Sequence, residues 1–184
     1  KNLLVTYHPV TLGKTTTRGQ VVELLMALEE LVGVNIIFTM PNADADGRDI
    51  IRLINEFVVR NPKSVAHVSL GQQRYLSCLR HVDGIIGNSS SGLIEAPAMK
   101  KGSVNIGDRQ RGRIRSDSVI DCAPERRSIA RAIKTLFSRS FQEKLRNVES
   151  PYGSGGSSDK IVKKLECFST CVSLKKTFFD LPAR

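Results

Sequence analysis

Tryptophan is absent from this chain, and aromatic residues fill only 5% of its 184 positions. Stacking platforms for single-stranded nucleic acid are therefore poorly supplied. No uninterrupted apolar run approaches the length of a membrane span and no signal-peptide pattern opens the chain, so the reading is a cytoplasmic protein with no membrane partner. Cysteine is sparse: Cys78, Cys122, Cys167 and Cys171 match neither a disulfide framework nor a paired zinc spacing. They read as reduced, space-filling thiols, and no metal site is expected. The G-x-G-x-x-G fingerprint, the Walker motif and the G-x-S-x-G elbow are all missing, which argues against a dinucleotide cofactor, an NTPase and a serine hydrolase. No cofactor is expected. The nearest approach to a catalytic acid pair, Asp44 and Asp46, shares one loop and reads as turn residues.

What the chain does have is positive charge, 28 Lys and Arg against 18 Asp and Glu, for a net charge of +10. Such a surface attracts anionic ligands. The basic residues are spread along the chain except for the run from Arg109 to Arg115. A nucleic-acid module centred on that run is the weaker reading, and no nucleic-acid partner is expected. The length suits one well-cored domain. The chain opens on Lys1 and enters an apolar run at once, which reads as a piece of a longer protein.

Apolar β-rich runs alternate with amphipathic stretches. Residues 3–7, 34–39, 65–69, 85–86, 103–106 and 118–121 read as strands. Residues 18–32, 47–59, 71–81, 124–138 and 158–168 read as helices, with a further helix starting in the serine-rich segment after Ile86 and a flexible link over 151–157. Alternation of this kind predicts an α/β fold, a Rossmann-like doubly wound parallel sheet with helices on both faces. Ligands of such sheets bind outside the carboxyl ends of the strands. The segments at those ends carry His8-Pro9, Pro41-Asn42, His67-Val68, Asn88 to Gly92 and Gly107-Asp108-Arg109.

The most pointed of these is Gly87-Asn88-Ser89-Ser90-Ser91-Gly92. Strand, tight turn and helix start in that order present unpaired N–H groups and the positive end of a helix dipole, a seat for phosphate that needs no lysine. One serine would cap the helix; three between glycines exceed that need. Glu95, one turn into the helix, is placed either to complement the dipole or to accept hydrogen bonds from ribose hydroxyls. His8 and His67 follow strands, where a lone histidine is more often structural, and His81 closes a helix. Arg109 reads either as part of a solvated basic turn or as a phosphate contact.

Taken in order, Val5-Thr6-Tyr7-His8-Pro9-Val10-Thr11, Met40-Pro41-Asn42-Ala43-Asp44, His67-Val68, Gly87 to Gly92 with Glu95, and Asn105-Ile106-Gly107-Asp108-Arg109-Gln110 with Gly112-Arg113 resemble the C-terminal half of the hydrolysing UDP-N-acetylglucosamine 2-epimerases of sialic acid biosynthesis. The resemblance runs from residue 3 to about 166. It implies the GT-B arrangement of two Rossmann-like domains, of which residues 1–166 would be the UDP-binding second and 167–184 a tail of open role. It implies that His8 and Asn42 face the nucleotide-sugar and that Val68 offers backbone contacts to uracil. Ser89 and Ser90 would hold the diphosphate, Glu95 the ribose, and Arg109 would lie beside the UDP. The implied partners are a UDP-sugar substrate, an N-terminal domain upstream of Lys1, and further copies in a homo-oligomer. The implied reaction inverts C2 with loss of UDP to give N-acetylmannosamine, by elimination to a 2-acetamidoglucal and addition of water. Its proton-moving carboxylates belong to the upstream domain, so no catalytic residue is assigned here beyond His8 as a candidate. Relatives in legionaminic acid synthesis act on a UDP-diacetamido sugar, and a GT-B glycosyltransferase would use the same nucleotide site.

Overall fold

A computed structural model describes residues 1–10, 16–41 and 47–168. Residues 1–153 form one compact unit and the chain from Ser154 a second. The first unit is organised by β1 (Asn2–Thr6), whose alternating side chains supply both faces of a sheet. Leu3 and Val5, continued by Tyr7, point to one face, and Leu4 to the other; all four are at most 1% exposed. The other strands are β2 (Asn35–Thr39), β3 (Ser64–His67), β4 (Gly84–Gly87), β5 (Ser103–Ile106) and β6 (Val119–Cys122). Among the described residues these strands form one all-parallel sheet in the order β3-β2-β1-β4-β5-β6. This is the doubly wound α/β architecture that the alternation of elements predicts.

The helices of the first unit are α1 (Thr17–Glu29), α2 (Gly47–Arg60), α3 (Gly71–His81), α4 (Ser91–Ala98), α5 (Arg126–Leu136) and α6 (Arg139–Leu145). On one face of the sheet, α1, α2 and α5 bury Val21, Leu24, Leu28, Ile50, Ile54, Phe57, Ile129 and Ile133 against Leu3, Val5, Ile36, Phe38 and Ile86. Each such side chain contributes about 1.5–3 kcal/mol when withdrawn from water. Phe38 and Phe57 meet edge to face, 5.6 Å between centroids. On the other face α3 and α4 bury Leu79 and Ala96 against Leu4 and Ile85. In the second unit α7 (Ser157–Glu166) buries none of its residues. No helix among the described residues is long and apolar enough to cross a membrane.

Most element ends shift by one to three residues from the sequence reading, and one expected helix is divided in two. The expected 124–138 helix ends at Leu136, and α6 follows as a separate short helix. Ser138 makes the break: its backbone is extended and its hydroxyl accepts from the Phe141 N–H, an N-cap for α6. Asn42, Asp44, Asp46, Cys171 and the rest of the 169–184 tail lie outside the described residues.

The strand order makes β1 and β4 neighbours, in register from Leu3 beside Gly84 to Thr6 beside Gly87. From this pair the chain winds outward to β2 and β3 on one side and to β5 and β6 on the other, so their carboxyl ends flank the switch point of the sheet. Gly87 permits the approach. Its φ of +140° is one that L side chains rarely adopt, and a Cβ there would lie 1.9 Å from the Thr6 carbonyl oxygen. Gly87→Ala is expected to destabilise the unit by about 3 kcal/mol, read as a lower urea midpoint at an unchanged slope; an unshifted midpoint would contradict the tight seam.

Candidate functional site

The strand exits converge on Asn88, which is completely buried. Its backbone N–H donates to the Thr6 carbonyl at 3.2 Å. Its side-chain Oδ1 accepts from the His8 N–H at 2.7 Å, and its Nδ2 donates to the His8 carbonyl at 2.8 Å. Asn88 therefore reproduces, with one side chain, the paired bonds that a further strand residue would have given the end of β1. The Asn88 carbonyl in turn accepts from Arg109 Nη1 at 3.1 Å and Gln110 Nε2 at 2.7 Å. One residue thus ties the exits of β1, β4 and β5 into a single shelf.

Past Asn88 the chain turns into α4 with less free backbone than three serines in sequence suggest. Gly92 N–H donates to the Ser89 carbonyl, and the Leu93 and Ile94 N–H groups both reach the Ser90 carbonyl. The Ser91 N–H meets Ser89 Oγ at 3.4 Å. Ser90 is the N-cap residue by position but makes no side-chain capping bond. The backbone donors left open at this turn are the N–H groups of the half-buried Ser89 and Ser90. The cradle is narrower than the one the sequence predicts, and it sits on the two serines that the resemblance singles out.

Glu95 lies one turn into α4, with its Oε2 buried and without a hydrogen-bond partner. A buried carboxylate oxygen left unpaired is costly, so this atom is an open acceptor beside the serine turn. Arg109 is exposed, its guanidinium held at one nitrogen by the Asn88 carbonyl. His8 is 8% exposed, its backbone held by Asn88. Val68 follows β3 on the edge of the sheet and is 85% exposed; His67 is exposed beside it. The structure thus gathers His8, Ser89, Ser90, Glu95 and Arg109 about the β1–β4 seam and sets Val68 two strands away from β1 on the same edge.

Sequence reasoning missed Asn88 and Gln110 as organisers. Gln110 is 2% exposed and keeps a buried Oε1 without a partner. The arginine run is likewise more ordered than a solvated turn. Arg115 Nε donates to Asp121 Oδ2 at 2.7 Å, and the other Asp121 oxygen accepts from Asn105 Nδ2 at 2.6 Å. The run is a bridge pinned at both ends, with Arg111 and Arg113 exposed between them. Two surface depressions, one along Arg48 to Arg60 of α2 and one between Arg115 and Pro151, lie away from this shelf. Among the described residues no group of three or more His, Cys, Asp and Glu side chains gathers as a metal site would require.

Burial shapes the acids near the seam. Tyr7, whose hydroxyl donates to Gln20 Oε1 at 2.5 Å, is raised well above an ordinary phenol by burial, with Cys122 and Asp108 adding to the effect. Burial also pushes the Cys122 thiol up to about 12, helped by the neighbouring Asp121 carboxylate.

Comparisons with known proteins add an independent line. Residues 1–166 match a family described as UDP-N-acetylglucosamine 2-epimerase. A "GDP/UDP-N,N'-diacetylbacillosamine 2-epimerase (hydrolyzing)" of Campylobacter jejuni is 38% identical over 180 residues, covering 97% of this chain and 46% of that protein. The "Polysialic acid biosynthesis protein P7" of Escherichia coli is 34% identical over 181 residues, with the same coverage of both. The chain thus spans about half the length of these relatives, corresponding to their C-terminal part. The crystal structure of the Methanocaldococcus jannaschii UDP-GlcNAc 2-epimerase in complex with UDP-GlcNAc and UDP shares the fold, with a TM-score of 0.68 at 17% identity over 90% of this chain and 45% of that one.

Two expected outcomes follow from the geometry. Asn88→Ala strands two buried His8 backbone groups and should cost about 2–4 kcal/mol, with the His8 amide losing protection in native-state hydrogen exchange; a protected His8 amide in the variant would refute the clamp. At pH 8 a thiol near 12 is almost wholly protonated, so Ellman's reagent should modify the exposed Cys167 promptly and Cys122 only once the chain is unfolded. Prompt modification of Cys122 in the native protein would contradict its raised thiol pKa.

Proposed function

The chain belongs to the UDP-N-acetylglucosamine 2-epimerase family, and we propose that it supplies the UDP-binding half of a hydrolysing 2-epimerase that converts UDP-N-acetylglucosamine to UDP and N-acetylmannosamine. The observation that carries this reading is the shelf at the β1–β4 switch point. Two open amide donors, an open buried carboxylate oxygen and an arginine stand together there, held by Asn88. Amides and guanidinium suit a diphosphate, and the Glu95 oxygen suits a pair of ribose hydroxyls. Val68 lies at the exit of β3, three strand spacings from β4, or about 14 Å at about 4.8 Å each. That separation leaves room for a nucleoside diphosphate laid across the ends of β1 and β2, with uracil at the edge.

In this reading the shelf grips the leaving group. As the C1–O bond of the sugar breaks, negative charge grows on the diphosphate, and donors already in place stabilise it without reorganising. His8 and Asn42 face the sugar side. The carboxylates that move the C2 proton come from an N-terminal domain, so the chain alone binds but does not turn over. The working enzyme is a cytoplasmic homo-oligomer that uses no cofactor.

A second sugar is favoured by one observation. The Campylobacter jejuni relative, more similar in sequence than the Escherichia coli one, carries the name of a diacetylbacillosamine epimerase. A UDP-diacetamido sugar is therefore the alternative substrate. Comparing UDP release from the two sugars, in the enzyme with both halves joined, separates them.

Calorimetric titration of the chain with UDP should give saturable binding with Kd below about 1 mM. Glu95→Ala should weaken UDP by about tenfold while leaving inorganic pyrophosphate within about twofold. A folded sample that takes up no UDP at millimolar concentration would overturn the assignment.

A further inference from the structure

The loop from Asp108 to Arg115 carries four arginines and one acid, and two of those arginines take no part in the shelf. Arg109 is tethered to the Asn88 carbonyl, and Arg115 is ion-paired with Asp121 at 2.7 Å. Arg111 and Arg113 are exposed, and neither guanidinium has a hydrogen-bond or ion-pair partner among the described residues. The backbone that carries them is nonetheless fixed. The Arg111 N–H donates to the Asp108 carbonyl at 2.8 Å, and the Arg113 N–H to the Gln110 carbonyl at 3.3 Å. The Arg113 carbonyl accepts from Arg115 Nη1 at 2.9 Å, and the Ile114 carbonyl from the Tyr152 hydroxyl at 3.0 Å.

These bonds also fix where the two charges stand. A turn closed by a bond from residue i+3 back to residue i keeps its end Cα atoms within about 7 Å. Arg113 is therefore a turn's width from Gln110, whose buried side chain donates to the Asn88 carbonyl, and Arg111 directly follows Gln110. Both charges stand at the rim of the shelf. Little cancels them there: Asp108 is the one acid of the loop, and the Asp121 carboxylate is already shared between Arg115 and Asn105. Such a field acts over the Debye length, about 10 Å at 0.1 M salt, and speeds the arrival of an anion at the site. It requires no contact with the bound ligand, so it changes association and its salt dependence rather than dissociation.

Resting on the UDP reading above, we propose that Arg111 and Arg113 steer the diphosphate of the nucleotide-sugar onto the shelf. Their role is capture, distinct from the grip of Ser89, Ser90 and Arg109 on the bound ligand. Because the loop is ordered before the ligand arrives, the two charges act from a fixed place at the rim.

The test follows UDP binding to the full chain by 1H–15N line-shape analysis, which yields association and dissociation rates separately. It is run at about 20 mM and about 0.5 M salt, where the Debye length is about 20 Å and about 4 Å. Two double variants are compared with the unmodified chain. Arg111→Gln with Arg113→Gln removes the rim charges. Arg60→Gln with Lys63→Gln removes as much charge from the end of α2 and the residue before β3, at the amino edge of the sheet opposite the shelf. All four side chains are exposed. The rim variant should associate about fivefold more slowly at low salt and within about 1.5-fold of the unmodified chain at high salt, its dissociation rate unchanged within about 1.5-fold at both. The opposite-edge variant should slow by less than about twofold at low salt. An association rate that does not fall, an equal fall in both variants, or faster dissociation from the rim variant would each overturn steering while the UDP reading stands; the last would make the two arginines direct contacts. Failure of the unmodified chain to bind UDP overturns both.

Discussion

The buried side-chain amide of Asn88 is the constraint on which the rest of the site depends. A parallel sheet ends in a row of diverging backbones, each with polar groups that its strand partners no longer satisfy. Asn88 answers that problem for three strands at once, closing the His8 backbone with both ends of its amide and offering its own carbonyl to Arg109 and Gln110. Without it the exits of β1, β4 and β5 would each be a separate loop. With it they form a surface whose geometry is set before any ligand arrives.

That rigidity has a cause one layer down. Gly87 lets β4 press against β1, so the two exits start out close enough for one side chain to bridge them. Gly92 does the same for α4 and β5: a Cβ there would crowd Ser103, whose hydroxyl donates to the Gly92 carbonyl at 2.6 Å. The apolar layers on both faces then hold the backbone where these contacts need it. In the proposed function, donors held this way stabilise developing charge more effectively than mobile side chains would.

Much of the architecture was legible in the chain. Short apolar β-rich runs and amphipathic stretches marked every strand and most helices, because strands buried on both faces read as continuous apolar runs and helices buried on one face keep a period of 3.6. The exception, α6, is seven residues long and too short to show a period of its own; only the Ser138 cap signalled it. The site was legible in part. Ser89, Ser90, Glu95 and Arg109 stood out because small hydroxyls, an acid one turn into a helix and an arginine after a strand have recognisable chemistry. Asn88 did not, since an asparagine beside glycine reads as a turn. Its role lies in a partner 80 residues away.

By itself, then, the sequence determined the element types, the parallel winding and the residues able to meet a phosphate, because local periodicity and side-chain chemistry are properties of neighbours along the chain. Tertiary structure alone decided that β1 lies beside β4, that among the described residues the serine turn keeps two open amides, and that Asn88 closes the His8 backbone across the two strands. Hydrogen bonds between segments far apart in sequence depend on strand order and on approach distances of tenths of an ångström, and neither leaves a periodic trace in the order of the residues.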